Sequence, residues 1–159
     1  MALFRRHPAP APAPEEDPAD SPAALLHAVD QLVGFVNQNA GRLPGESVVA
    51  ARQVTDTVRE VIGTSSDGEL DVYAIISVKG IVNDYLPTTL RSYLALDPQV
   101  VDVVRPTGRT PKQSLLEQIN SLWAGADDVL TAAQAKDADA LVSQGNFLQT
   151  KFTGSDLDL

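Results

Sequence analysis

Between Leu115 and Ala133 the apolar residues Leu115, Ile119, Leu122, Ala126, Val129 and Ala133 fall at alternating steps of four and three. That spacing keeps one face of an α-helix apolar for more than five turns and cannot be met by a strand, whose side chains alternate with period two. Leu116, Trp123 and Leu130 flank the stripe and make it wider than the narrow seam of a two-stranded coiled coil. A helix of this length and width has to be covered on several sides, and the rest of the chain must supply the cover.

The start of this helix is punctuated as clearly as its face. Thr110 stands at the N-cap, Pro111 at the first helical position and Gln113 where a capping box needs it. Ser21 and Pro22 open a first helix carrying Leu25, Leu26, Val29, Leu32, Val33 and Val36, which ends near Asn39 to Gly41. After "RLPGES", a second helix carries Val54, Val58, Val61 and Ile62, with Gln53, Thr57 and Glu60 facing away and Gly63 as its stop. The short connection makes the two antiparallel neighbours. Asp137 caps a last helix bearing Ala140, Leu141, Gln144, Phe147, Leu148 and Phe152.

The third segment opens at "SDGE", where Ser66 and Glu69 have capping-box spacing. Leu70, Ala74, Ile75, Val78, Ile81, Val82 and Tyr85 follow. The β-prone run "VYAIISV" could pair across "KG" as a hairpin, but a stripe that persists to Tyr85 is too long for one strand and selects helix. Pro87 cannot donate a backbone hydrogen bond and disfavours helical geometry at Leu86, so a break or kink is expected there. Leu90, Tyr93 and Leu94 then carry the stripe on to Asp97 and Pro98.

With 43% hydrophobic but only 5% aromatic residues, the core has to be made from Ala, Val, Leu and Ile, which suits closely packed helices. The expected fold is therefore all-α: an up-and-down bundle of five to six helices over residues 21–152. Residues 1–20, with a Pro/Ala repeat and an acidic run, are expected to form a disordered tail, and 153–159 a short acidic one. No run approaches the roughly 20 apolar residues of a membrane span, and "MALFRRHPAPAPAP" lacks the apolar core of a secretory signal. These features, with no cysteine in the chain, lead to a cytoplasmic expectation.

Several chemistries lose their usual support. A net charge of −9 repels phosphate backbones, so nucleic acid is not an expected partner. The two histidines, His7 and His27, form no metal-ligand pair, and His27 beside Leu26 reads as a packed or boundary residue. Asp127 and Asp128 point about 100° apart on a helix and read as a solvated face. No phosphate-binding glycine loop or nucleophile elbow occurs, and no cofactor, metal site or catalytic set is expected.

Three groups of residues remain as candidates for binding. Tyr85, Arg91 and Tyr93, around Pro87, could form a groove for a protein partner. Arg105, Arg109 and Lys112 concentrate positive charge at a helix N-terminus, where an anion is favoured. Leu3, Phe4, Arg5 and Arg6 could make a peripheral membrane contact, although stable anchoring usually needs a second signal.

The stretches "IVNDYLPTTLRSYLAL", "TPKQSLLEQINSL" and "DADALVSQGNFLQTKF" together resemble the C-terminal helical region of bacterial 5-bromo-4-chloroindolyl phosphate hydrolysis proteins and of uncharacterised actinobacterial relatives, over residues 70 to 152. The resemblance implies a cytoplasmic helical protein associated with toxic-anion or tellurite resistance. The family name implies phosphatase chemistry but brings no catalytic residues with it. The functional expectation is a non-enzymatic interaction or regulatory module that binds a protein partner or self-associates, in stress or toxic-anion resistance. The alternative is a phosphate-ester hydrolase or its accessory factor.

Overall fold

The computed structural model describes residues 18–153, which form α1 (Pro22–Asn39), α2 (Gly45–Gly63), α3 (Val72–Gly80), α4 (Leu86–Leu94), α5 (Pro111–Gln134) and α6 (Ala138–Phe152). A π-turn, Ile81–Tyr85, joins α3 to α4 in one helical run, so the bundle has five long helices and, among the described residues, no strand longer than an isolated bridge. No helix among them is long and apolar enough to cross a membrane. Leu3, Phe4, Arg5 and Arg6 lie outside the described residues, as does most of each expected tail.

Local chemistry sets the helix starts. The Ala24 N–H donates to Ser21 Oγ, the Ala140 N–H donates to Asp137 Oδ1, and Thr110 and Gln113 form the full reciprocal capping box of α5. At "SDGE" the outcome differs from the capping-box expectation. Asp67 and Gly68 both take positive φ, 55° and 80°, closing a tight turn in which Ser66 and Glu69 exchange backbone hydrogen bonds of 2.9 Å. An Asp-Gly pair suits that turn better than a helix entry, and Asp71 caps α3 instead, accepting from the Tyr73 N–H. The expected tail boundary at residue 20 also shifts. Pro18–Asp20 form a 3₁₀ turn, and Asp20 pairs with Lys79 on α3 at 2.7 Å.

The expected break at Pro87 takes the form of the π-turn. The Leu86 N–H reaches back five residues to the Ile81 carbonyl, one more than an α-helix allows. The wider turn falls just before the residue with no N–H to give, and the chain continues as α4 with Pro87 in its first turn, where proline is tolerated.

Cross-helix pairs fix the directions. Asp30 meets Arg59, and Asn37 meets Arg52, so residue numbers rise on α1 as they fall on α2: the two helices are antiparallel. Numbers rise together between the α3–α4 run and α6, where a Cβ on Gly145 would touch Ser77 and Tyr85 stacks on Phe152. An up-and-down order requires this parallel relation. The centre is the α2–α5 contact, the most extensive in the molecule, with Val54, Val58, Leu115, Ile119 and Leu122 all at 1% exposure or less. Gly125 lets α6 come close to α5, since a Cβ there would lie 2.6 Å from Leu148 Cδ2.

Thr57, expected to face away, is buried and accepts from Trp123 Nε1 at 3.1 Å. A threonine at the edge of an apolar stripe can be buried when an indole N–H satisfies its hydroxyl. Conversely, His27 and Phe147 are exposed. The inward face of α1 runs through Leu25, Val29, Leu32 and Val36 and leaves His27 outside it, while the Phe147 ring lies under Lys151 Nζ at 5.4 Å.

Candidate functional site

Tyr85, Arg91 and Tyr93 do not share a surface. The half-buried Tyr85 ring stacks on Phe152 with centroids 5.8 Å apart and faces α6. Arg91 is exposed and sits 5.3 Å above the Phe35 ring, on the α1 side. Tyr93 is only 4% exposed. Six and eight residues of helix, widened by a π-turn, turn these side chains in different directions: a pocket of about 200 Å³ beside Pro87 is lined by Arg91 and Phe35, without Tyr85 or Tyr93.

The cations of the α5 loop do not converge on one site. Arg109 pairs with Glu117 at 2.9 Å and Lys112 with Asp102 at 2.9 Å, both pairs exposed to solvent, while the Arg105 backbone closes a turn with Gly108 and Arg109 and its buried Nε has no hydrogen-bond partner. More decisive is the state of the helix end itself. The Thr110 N–H goes to Gln113, Pro111 has none, the Lys112 N–H goes to Val101, the Gln113 N–H to Thr110 Oγ1 and the Ser114 N–H to the Thr110 carbonyl. No amide in the first turn is left for an anion, which removes the usual physics of a helix N-terminal site. The capping box and the free amides were incompatible from the start.

The candidate site lies at α3. In its sequence VYAIISVKG the outward positions are mostly apolar, with Lys79 as the one charge, whereas an ordinary surface helix shows a polar outer face. Ala74, Ser77 and Val78 point into the bundle. Val72, Tyr73 and Ile76 point out, at 57%, 40% and 57% exposure. Between this face and α6 runs a groove of about 400 Å³, walled by Tyr73, Ile76, Tyr85, Leu141 and Val142 and floored by Gly80 and Gly145.

One end of the groove is acidic. Leu141 also lines an adjoining cavity with Asp67, Glu69 and Asp71, and Asp137 and Asp139 are exposed at the start of α6. Lys136 is the cation among them. No group of three or more His, Asp or Glu able to hold a metal ion occurs among the described residues. The positive pull of two helix N-termini is met there by Asp71 and Asp137 as caps.

At the opposite end of the bundle, Tyr93 and Lys112 are coupled. Burial raises the Tyr93 phenol above its ordinary 10.0, with Lys112 opposing and Asp102 assisting. The hydrogen bond to Asp102 raises Lys112 above 10.5. Both groups hold their protons more tightly folded than unfolded, so the stability they contribute is complete below about pH 10 and is lost as pH climbs through the folded values. Denaturant midpoints should therefore fall above about pH 10, and Tyr93→Phe should flatten that fall; an unchanged slope in the variant would show that Tyr93 does not contribute to it.

No family model, curated protein or solved structure matches the chain.

Proposed function

We propose that the protein is a non-enzymatic interaction module that receives an amphipathic helix of a partner protein in the α3–α6 groove. The observation that carries the reading is the outer face of α3: three large apolar side chains exposed side by side on a helix whose one charge, Lys79, is paired with Asp20. Large exposed apolar surface at a groove is a common mark of a docking site. Parallel α3 and α6 form a trough into which the apolar ridge of a third helix can settle. Charge sets the partner's chemistry, because Asp67, Glu69, Asp71, Asp137 and Asp139 at one end of the trough favour a basic flank.

The probe is a synthetic amphipathic helix of leucine and lysine, with a leucine/glutamate peptide of the same pattern as its counterpart. The Leu/Lys peptide should bind saturably and the Leu/Glu peptide should not. Changing Asp67, Glu69 and Asp71 to their amides should weaken Leu/Lys binding several-fold and flatten its salt dependence. Equal binding of both peptides, or a rim variant with unchanged affinity and salt slope, would remove the charge-matched partner.

A further inference from the structure

The far end of the bundle holds a second cavity, built from other elements and unrelated to the α3 face. It is an open pocket of about 390 Å³ where the α1–α2 connection, the end of α4 and the start of α5 meet. The volume falls within the usual range of small-molecule sites, roughly 300–1,000 Å³. Leu43, Pro44, Leu96, Pro98 and Val101 give it apolar walls, and Arg42, Tyr93 and Lys112 are its polar groups.

These three polar groups are donors suited to one negative charge. Arg42 gives a single N–H to the Leu94 carbonyl, at 3.0 Å, and keeps four others. Tyr93 has its ring in the core and lines the cavity beside Lys112. Lys112 is held by both oxygens of Asp102, at 2.9 and 3.1 Å, yet the Asp102 side chain is 74% exposed. A solvent-exposed ion pair is worth little, so a ligand can share or replace that carboxylate at small cost. Counting Asp102, the pocket carries one net positive charge in a chain of net charge −9. That balance suits a monoanion with an apolar body better than inorganic phosphate, which brings more charge and nothing for the apolar walls.

We propose that this cavity is a binding site for a small organic monocarboxylate, its carboxylate held by Arg42, Lys112 and the Tyr93 hydroxyl and its apolar body against Leu96, Pro98 and Val101. Charge-assisted hydrogen bonds supply the orientation, and the walls reward a ring or short chain.

Benzoate is a suitable probe, because benzamide has the same shape without the charge. Titrated into the isotopically labelled full chain, benzoate should give saturable amide shifts confined to residues around Tyr93, Leu96, Val101 and Lys112. Benzamide and inorganic phosphate should each bind at least about tenfold more weakly, a difference of about 1.4 kcal/mol. Arg42→Met with Lys112→Met should weaken benzoate by about tenfold or more, and Tyr93→Phe, which leaves the buried ring in place, by several-fold. If the double variant fails to fold, the benzoate and benzamide comparison on the unaltered chain decides the role of charge. Failure of benzoate to saturate at millimolar concentration would overturn the proposal. So would equal binding of benzamide or phosphate, or shifts centred elsewhere.

Discussion

Ile119→Ala should destabilise the protein by about 2–5 kcal/mol, read as a lowered denaturant midpoint at unchanged slope. Ile119 is fully buried in the middle of α5, on the helix with the most extensive contact in the bundle, that with α2. Neighbouring Leu115, Leu122, Val54 and Val58 are equally enclosed, so the space left by the missing carbons cannot be filled by one side chain shifting. The cost then combines lost burial with a residual cavity. A loss of this size is a large fraction of the ~5–15 kcal/mol that holds a domain together. The same change at Ile76, 57% exposed on α3, should change the unfolding free energy by no more than about 0.5 kcal/mol. Two isoleucines on two helices of one bundle thus separate the core from the face left open to solvent. A small effect at Ile119 would mean that α5 is not enclosed by α2.

Gly80→Ala should also destabilise, by about 1–2 kcal/mol, although helix propensity alone favours alanine by about 1 kcal/mol. A Cβ at Gly80 would lie 2.7 and 2.9 Å from Cε2 and Cζ of the Tyr85 ring and 3.0 Å from its hydroxyl oxygen. That ring lies over Gly80 across the π-turn and is stacked on Phe152, so moving it breaks a second contact. Overpacking of this kind typically costs about 1–3 kcal/mol, enough to outweigh the propensity gain. With Tyr85→Ala as background the clash disappears, and Gly80→Ala should then stabilise by up to about 1 kcal/mol. The reversal of sign, measured by denaturant unfolding of the four proteins, tests whether the π-turn seats Tyr85 against α6. A stabilising Gly80→Ala in the unaltered chain would contradict it.

The helices themselves were legible in the residues. Steps of three and four mark the stripes of α1, α2 and α5, and Ser21, Thr110 and Asp137 cap where their side-chain oxygens can reach free amides. Legibility failed where two local solutions compete for the same residues. Ser66 and Glu69 have capping-box spacing, but Asp67-Gly68 between them favours a turn with two positive φ values, and the turn prevails. Thr57 reads as polar and outward because its partner, Trp123, is 66 residues away and visible only after folding.

The binding residues were the hardest to read, for a related reason. Tyr, Arg and Lys near a proline or a helix start are equally good at building the core and at recognition. Tyr93 and Tyr85 are largely taken by packing, and the first turn of α5 is closed by its own cap. The signal for the α3 face was present as the β-prone run VYAIISV. Its surplus of apolar residues raised the choice between helix and hairpin, while its consequence was a helix with too many apolar sides for the neighbours it has.

The central claim is that this surplus is a docking face, and a matched pair of substitutions tests it most directly. Ile76 on α3 and Val49 on α2 are almost equally exposed, at 57% and 56%, and each becomes lysine. Affinity for the Leu/Lys amphipathic peptide is then measured for both variants at the same ionic strength. Ile76→Lys should weaken binding by about tenfold or more, as expected for a charge placed at the centre of an apolar interface, and Val49→Lys by no more than about twofold. Equal losses in the two variants would mean that the peptide responds to overall charge, and an unchanged affinity in Ile76→Lys would show that the α3 face is not where it binds.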